Sequence, residues 1–515
     1  MARTTPNERA RHMRPEAMTR RWLRPLLAII VVAGGGVGAV DFYRLAGPST
    51  SAQPGTASSP ATGSARSTAL QPTPSPTASG GQARALWQQS IAPATAVLTA
   101  QPSLRTAAPE PTSAGLSRVL APLLADHALD GDEVAVVVHD AVTGHVLFDH
   151  AGADAVLPAS TAKLAVAVAA LEVLGPDHQF STRVVAGSGR GQVILVGGGD
   201  PTLAGPNAVG AFGPGYPSPA RLADLASQAA SALRSSGGAA GVRVGYDASL
   251  FAGAATGVGW KPTYITEGDV APVSALEVDE GRPDLRRPAR TSDPAASAAA
   301  QFAKLLTADG VTVTGAPTPA KAVVGGAVIA SVSSPSVAAL VQRMLGRSDN
   351  DLAEALARQV ALARGEPATF AGGTHAVRAA LTALGVDPLG FALVDSSGLS
   401  PSDRVRPAAL VQLVALAVGP AHPELSSVLA ALPVAAFSGT LADRFKGSAD
   451  TAAGTVRAKT GTLDGVVSLA GYVEDAAGRT LVFALVADGV ALNATVTTEN
   501  ALDRLTAGIA GCGCT

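Results

Sequence analysis

The sequence predicts an α+β fold, an antiparallel sheet covered by helices and interrupted by an inserted, mostly β domain. Three observations carry this prediction. Apolar runs with helical spacing stand near the end, the middle and the start of the body; paired apolar segments around turn residues read as hairpins; and a long Gly-rich stretch of short strand-like runs splits the body. With 515 residues and a 47% hydrophobic content, the chain holds enough apolar material for more than one core.

Taken in order, residues 1–24 form a basic segment, read as cytoplasmic, in which Arg9, Arg11, Arg14, Arg20, Arg21 and Arg24 precede the uncharged stretch Pro25 to Val40. A basic region followed by an apolar one targets a chain across a membrane. Residues 25–43 are expected to be an uncleaved signal-anchor, because no persuasive Ala-x-Ala site follows and Trp22 and Phe42-Tyr43 can supply interfacial ends. The apolar run is nevertheless short beside the ~20 residues that a spanning helix wants. Residues 44–113 read as a flexible Ser/Thr/Pro/Ala/Gly-rich linker, since from Ala46 to Arg84 there is no acid and almost no large apolar side chain to bury. Such a linker reaches roughly 45 Å and would hold the rest of the chain off a membrane, in the cell-wall space.

The body is expected in two pieces, 114–182 and 331–515, around an insertion at 183–330. A helix over Gly115 to Asp126 is apolar at Leu116, Val119, Leu120, Leu123 and Leu124; Glu133 to His139 and His145 to His150 make a hairpin; a further apolar helix ends at Gly175-Pro176. Runs such as Gln192 to Val196 and Val242 to Val244 suggest the strands of the insertion. Helical stretches follow at Val337 to Leu345 and Leu352 to Ala363. A β-like run covers Gly454 to Gly461, a hairpin joins Val466 to Val473 with Thr480 to Ala487, and a closing helix covers Thr495 to Ile509.

Three motifs sit on these elements. Ser160 and Lys163 stand at i and i+3 where the apolar helix begins, so the amine can take the proton of the hydroxyl. Ser348-Asp349-Asn350 links two helices, and Lys459-Thr460-Gly461 ends the β-like run. Ser-x-x-Lys alone is weak, and a lone Ser-Asp-Asn is more often a helix cap. The three in this order are the signature of penicillin-recognising serine acyl enzymes.

Together with Gly197 to Leu203, Ala271 to Leu276 and Asp395-Ser396-Ser397-Gly398-Leu399-Ser400, the motifs closely resemble the D-alanyl-D-alanine carboxypeptidase/endopeptidase family, the class C low-molecular-mass penicillin-binding proteins. The likeness covers about residues 114–510 and implies a penicillin-binding-protein/serine β-lactamase-like domain. Ser396 stands where the family usually has Gly, and the insertion looks shorter than usual. The resemblance implies that Ser160 is the nucleophile and Lys163 its neutral base, depressed in pKa by burial and a nearby positive charge. Ser348 would bridge the two lysines and relay the proton. Asn350 would hold the substrate amide and orient Lys163; Lys459, Thr460, Gly461 and Thr462 would hold the terminal carboxylate, with Ser397 lining the cleft. The backbone N–H groups of Ser160 and Thr462 would form the oxyanion hole.

The implied substrate is a peptidoglycan stem peptide ending in D-Ala-D-Ala, the implied covalent inhibitors are β-lactams, and no cofactor is required. A serine β-lactamase or esterase uses the same motifs, but no convincing Glu-x-x-x-Asn element lies between Ser160 and Ser348. A catalytically silent peptidoglycan-binding scaffold would not need all the motif residues intact. Nucleic acid is disfavoured: residues 1–44 carry a net +5 in a chain whose formal charge is −2, so the body is acidic. Histidine spacing suggests no metal, and the Gly197 to Asp200 run lacks the Lys-Ser/Thr of a phosphate loop. Cys512 and Cys514, the only cysteines, read as an incidental tail.

Overall fold

The computed structural model describes residues 107–206, 208 and 218–515. The basic segment, the expected anchor and most of the expected linker lie outside the described residues. No single helix among the described residues is long and apolar enough to cross a membrane.

Two five-stranded sheets organise the body. After helix α1 (Ser113–Leu124), strands β1 (Glu133–Asp140) and β2 (Val146–His150) form the first hairpin, and helix α2 (Lys163–Leu174) follows the Ser160 turn. The second sheet comes next: β3 (Ser181–Ala186), β4 (Gln192–Val196), α3 (Leu222–Ser235), β5 (Arg243–Asp247), α4 (Pro294–Ala308), β6 (Thr318–Pro319) and β7 (Val328–Ser333). The chain then returns through α5 (Val337–Arg347), α6 (Asn350–Ala363), α7 (Phe370–Ala383), the short pair β8 (Phe391–Ala392) and β9 (Arg404–Val405), and α8 (Pro407–Val418). Strands β10 (Arg457–Leu463), β11 (Val466–Glu474) and β12 (Thr480–Asp488) complete the first sheet before the closing helix α9 (Thr495–Ala510).

The first sheet runs β10-β11-β12-β1-β2 and is antiparallel throughout. Strand β11 is buried at every position except Glu474, because helices cover both faces. Its alternation is still visible in where side chains go. Val467, Leu469 and Val473 join the cluster beneath α1 and α9, whereas Val466, Ala470 and Tyr472 join the cluster of α2, α5, α6 and α8. Helix α2 is buried along Lys163 to Leu171 for the same reason, since it lies between other helices.

The second sheet, β6-β5-β4-β3-β7, carries more helix than a mostly β insertion implies. Helix α3 buries Leu222, Leu225, Ala226, Ala229, Ala230 and Leu233, a stripe with helical period, and α4 adds Ala298, Phe302 and Leu306 to the same core. Two apolar helices on the sheet also explain why β4 pairs parallel with β5, and β5 with β6: each such pair needs a crossover, and α3 and α4 lie in those connections. The segment leaves and rejoins the body at one place, where Phe180 N donates to Ser334 Oγ at 2.8 Å and Ser334 N donates to Phe180 O at 2.8 Å.

Glycine 197–199 serves close packing. A Cβ on Gly197 would meet the backbone of Ala275 and one on Gly198 the backbone of Ser181, while Gly199 has φ +81°. The C-terminal tail is not incidental. Cys512 and Cys514 are bonded as a disulfide, and Cys514 O accepts from Thr112 N at 2.8 Å and Thr112 Oγ1 at 3.0 Å at the start of α1. Residues 402 positions apart in sequence meet there, which no local spacing foretells.

Candidate active site

Ser160 lies in a 3₁₀ turn, Ala159–Ala162, that runs directly into α2. In such a turn, side chains at i and i+3 stack one above the other, so Lys163 Nζ comes to 2.9 Å from Ser160 Oγ. Two glycines make room for the turn. A Cβ on Gly398 would drive into the backbone carbonyl of Ala159, and one on Gly461 would meet Ser468 Oγ and Pro158 O. Glycine in the third motif is therefore a packing requirement: strand β10 passes against the backbone of the Ser160 turn. Ser468 Oγ on β11 also donates to Pro158 O at 2.8 Å, tying the sheet to the turn.

The second motif is a helix-to-helix joint. Ser348 has left-handed backbone, φ 59°, at the end of α5, and Asp349 caps α6 by accepting from Leu352 N at 3.0 Å. Asn350 thereby enters the site as the first residue of α6. Its Oδ1 accepts from Lys163 Nζ at 2.6 Å, and its Nδ2 donates to Asp269 O at 2.8 Å. Lys459, on β10, donates to Ser348 Oγ at 3.0 Å and to Thr460 O at 2.7 Å.

Both lysines are fully buried, with 0% exposure. Burial pushes Lys163 down to about 8, against the opposing pull of Asp395, Asp349, Glu354 and Asp351. Burial first, and the charge of Lys163 second, hold Lys459 well below the usual lysine range. Desolvation is the main cause for both lysines, and the repulsion between their charges disfavours two protonated amines side by side. Lys459 makes no ion pair with a described residue.

Two further expectations change. Ser397 is buried at 0% exposure and does not line an open cleft; it turns its carbonyl oxygen toward Lys163 Nζ, which donates to it. The cause is Glu354, whose Oε1 accepts from the backbone N–H of both Ser396 and Ser397 at 2.8 and 2.9 Å. Ser348 bridges on one side only: Lys459 donates to it, while the hydrogen bonds of Lys163 go to Ser160, Asn350 and Ser397. The hydroxyl groups of the third motif have side-chain partners of their own. Thr460 Oγ1 lies 2.7 Å from Thr440 Oγ1, and Thr462 Oγ1 lies 3.0 Å from Glu499 Oε1.

Several residues that shape the site carry no motif. Asp395 accepts from Trp260 Nε1 at 2.7 Å, from Gly398 N at 2.7 Å and from Ser400 N at 2.8 Å, closing the loop between β8 and β9. Burial first, and the charge of Asp395 second, push the Asp403 carboxyl well above the usual carboxylate range. Glu354 also meets Arg358 at 3.0 Å, and Arg358 stacks 4.1 Å over the ring of Phe370. Glu354 falls one turn after Asn350 on α6, which is the only hint in the sequence that it points to the site.

This arrangement has relatives. A model of the D-Ala-D-Ala carboxypeptidase 3 (S13) family matches residues 116–287 and 282–509. The chain belongs to that family. It is a serine D-Ala-D-Ala carboxypeptidase, a hydrolase among the penicillin-binding proteins. A carboxypeptidase of Mycobacterium tuberculosis is 39% identical over 79% of this chain and 86% of that protein. Carboxypeptidase DacB of Mycolicibacterium smegmatis is 37% identical over 83% of this chain and 91% of its own. In fold, this S13 chain matches penicillin-binding protein 4 (DacB) of Haemophilus influenzae with TM-score 0.60 and 22% identity, over 76% of this chain and 98% of that one.

Proposed function

We propose that Ser160 attacks the carbonyl of the penultimate D-Ala of a peptidoglycan stem peptide. The Oγ–H proton passes to Lys163 Nζ as the Oγ–C bond forms, and the oxyanion rests on the N–H groups of Ser160 and Thr462. Ser348 delivers its proton to the leaving nitrogen as the C–N bond breaks and takes one back from Lys459 Nζ, which donates to it at 3.0 Å. Water then releases the acyl-enzyme: Lys163 returns its proton to Ser160 Oγ, and the proton of the attacking water goes back through Ser348 to Lys459. Lys459, Thr460 and Thr462 receive the terminal carboxylate, which would supply the counter-charge that Lys459 lacks. The observation that carries this reading is the 2.9 Å contact between Ser160 Oγ and a buried lysine depressed to about 8.

The homologous protein of Haemophilus influenzae has been solved in complex with a β-lactam. By the same chemistry a β-lactam should acylate Ser160 here. Incubation with penicillin followed by peptide mass spectrometry should place the adduct on Ser160 and block D-Ala release from a D-Ala-D-Ala peptide. An adduct elsewhere, or none, overturns the assignment.

Because the base must be neutral, the acylation rate should rise about tenfold per pH unit below the Lys163 value and level off above about 8. Stopped-flow acylation between pH 5.5 and 9.5 measures it, and a rate that is flat from 6 to 8 contradicts the role of Lys163. Residues 183–330 are read as the insertion in the catalytic domain 114–182 and 331–515. Residues 25–43 are read as the anchor that keeps this body outside the cell membrane, with the linker spanning the gap.

A further inference from the structure

The segment before β6 does more than fill an insertion, since it reaches the second motif with charge. Residues Asp279 and Glu280 both have left-handed backbone, φ 55° and 53°, followed by Gly281 at φ 69°. Consecutive non-glycine residues in that region are strained, and strain of this kind persists where the surroundings demand it. The turn carries Glu280, 3% exposed, into a buried cluster of charges. Glu280 meets Arg343 of α5 and Arg282, and lies 3.5 Å from Arg290. Arg343 in turn donates from Nε to Asp349 at 3.1 Å, and Arg290 lies 3.3 Å from Asp351, which also accepts from Ala271 N at 2.8 Å.

Asp349 and Asp351 are the residues on either side of Asn350. Oxygens of Glu280, Asp349 and Asp351 stand within 4.8 Å of one another, a repulsive grouping that Arg282, Arg290 and Arg343 compensate. The peptide carbonyl of Asp269, from the same segment, receives Asn350 Nδ2 directly.

We propose that Glu280 is a positioning residue for the reaction: through Arg343 and Asp349 it locks the first turn of α6, so that Asn350 Oδ1 stays on Lys163 Nζ. The inserted segment thereby completes the catalytic site by holding its second motif from outside. The inference rests on the reading of Lys163 as base and Asn350 as its partner.

The test is the acylation rate by a fluorescent penicillin and steady-state D-Ala release for Glu280→Gln and for Glu280→Gln/Arg343→Met. Removing one partner of a buried ion pair leaves the other uncompensated, whereas removing both can restore stability. Glu280→Gln should lose at least tenfold in acylation rate, with kcat falling by more than KM rises, because the carboxylate anchors on β10 are untouched. The double variant rebalances the charge of the cluster but leaves Asp349 without Arg343, so it should regain melting temperature only in part and rate not at all, since Asn350 is still unlocked. A double variant that recovers both, or a Glu280→Gln enzyme that acylates at the wild-type rate, overturns the inference. If Glu280→Gln does not fold, the double variant decides alone. A wild type that takes no label overturns the underlying reading instead, so the two failures are distinguishable.

Discussion

Ser160→Ala should take no covalent label from a fluorescent penicillin while remaining folded. The side chain is only partly buried, and it accepts a hydrogen bond from Lys163 Nζ. Losing such a bond costs roughly 1 kcal/mol, well within the stability of a domain of this size. Lys163 keeps Asn350 Oδ1 and the carbonyl of Ser397, so the buried amine is not orphaned. Chemistry fares differently, because without the hydroxyl no Oγ–C bond can form. Gel fluorescence after labelling and a thermal melt, run on both proteins, check the two halves. A mutant that labels as the wild type does would place the nucleophile elsewhere.

Gly398→Ala should damage the site nearly as severely, through the backbone. At φ +81° an alanine pays roughly 1–2 kcal/mol for left-handed geometry alone. Its Cβ would also press on the Ala159 carbonyl and on Ser160 N, which are main-chain atoms that cannot swing aside. Relief requires the loop between β8 and β9 to withdraw from the Ser160 turn, carrying the Ser397 carbonyl off Lys163. A displacement of about 1 Å in a catalytic group can cost on the order of 10²-fold in rate, so a loss of that order in acylation is expected together with a lowered melting temperature. Gly365→Ala is the control. It has φ +74° but nothing within 4 Å of the added carbon, so it should lose stability by a similar conformational cost and keep full acylation. Equal acylation by Gly398→Ala and wild type would show that the loop does not hold the turn.

Much of this was legible in the chain because it is local. Hairpin β1–β2, the β11–β12 pair and helices α1, α2, α6 and α9 announce themselves through alternation or helical period within short windows. The Ser160–Lys163 contact is local as well, three residues apart. Helices α3 and α4 were less legible, since the Gly-rich stretch around them masks stripes that are clear only once the sheet they cover is known.

The order of the three motifs and much of the secondary structure that presents them are written in the chain, because motif spacing and periodicity are properties of neighbouring residues. Tertiary structure alone decided which groups touch. Lys163 meets Asn350 across 187 residues and Ser397 across 234, and Lys459 meets Ser348 across 111. It also decided that Lys163 is buried, that Glu354 and Asp395 shape the loop behind it, and that Glu280 arrives from the segment between β5 and α4. Those facts depend on which distant surfaces exclude water from one another, and no local pattern records that.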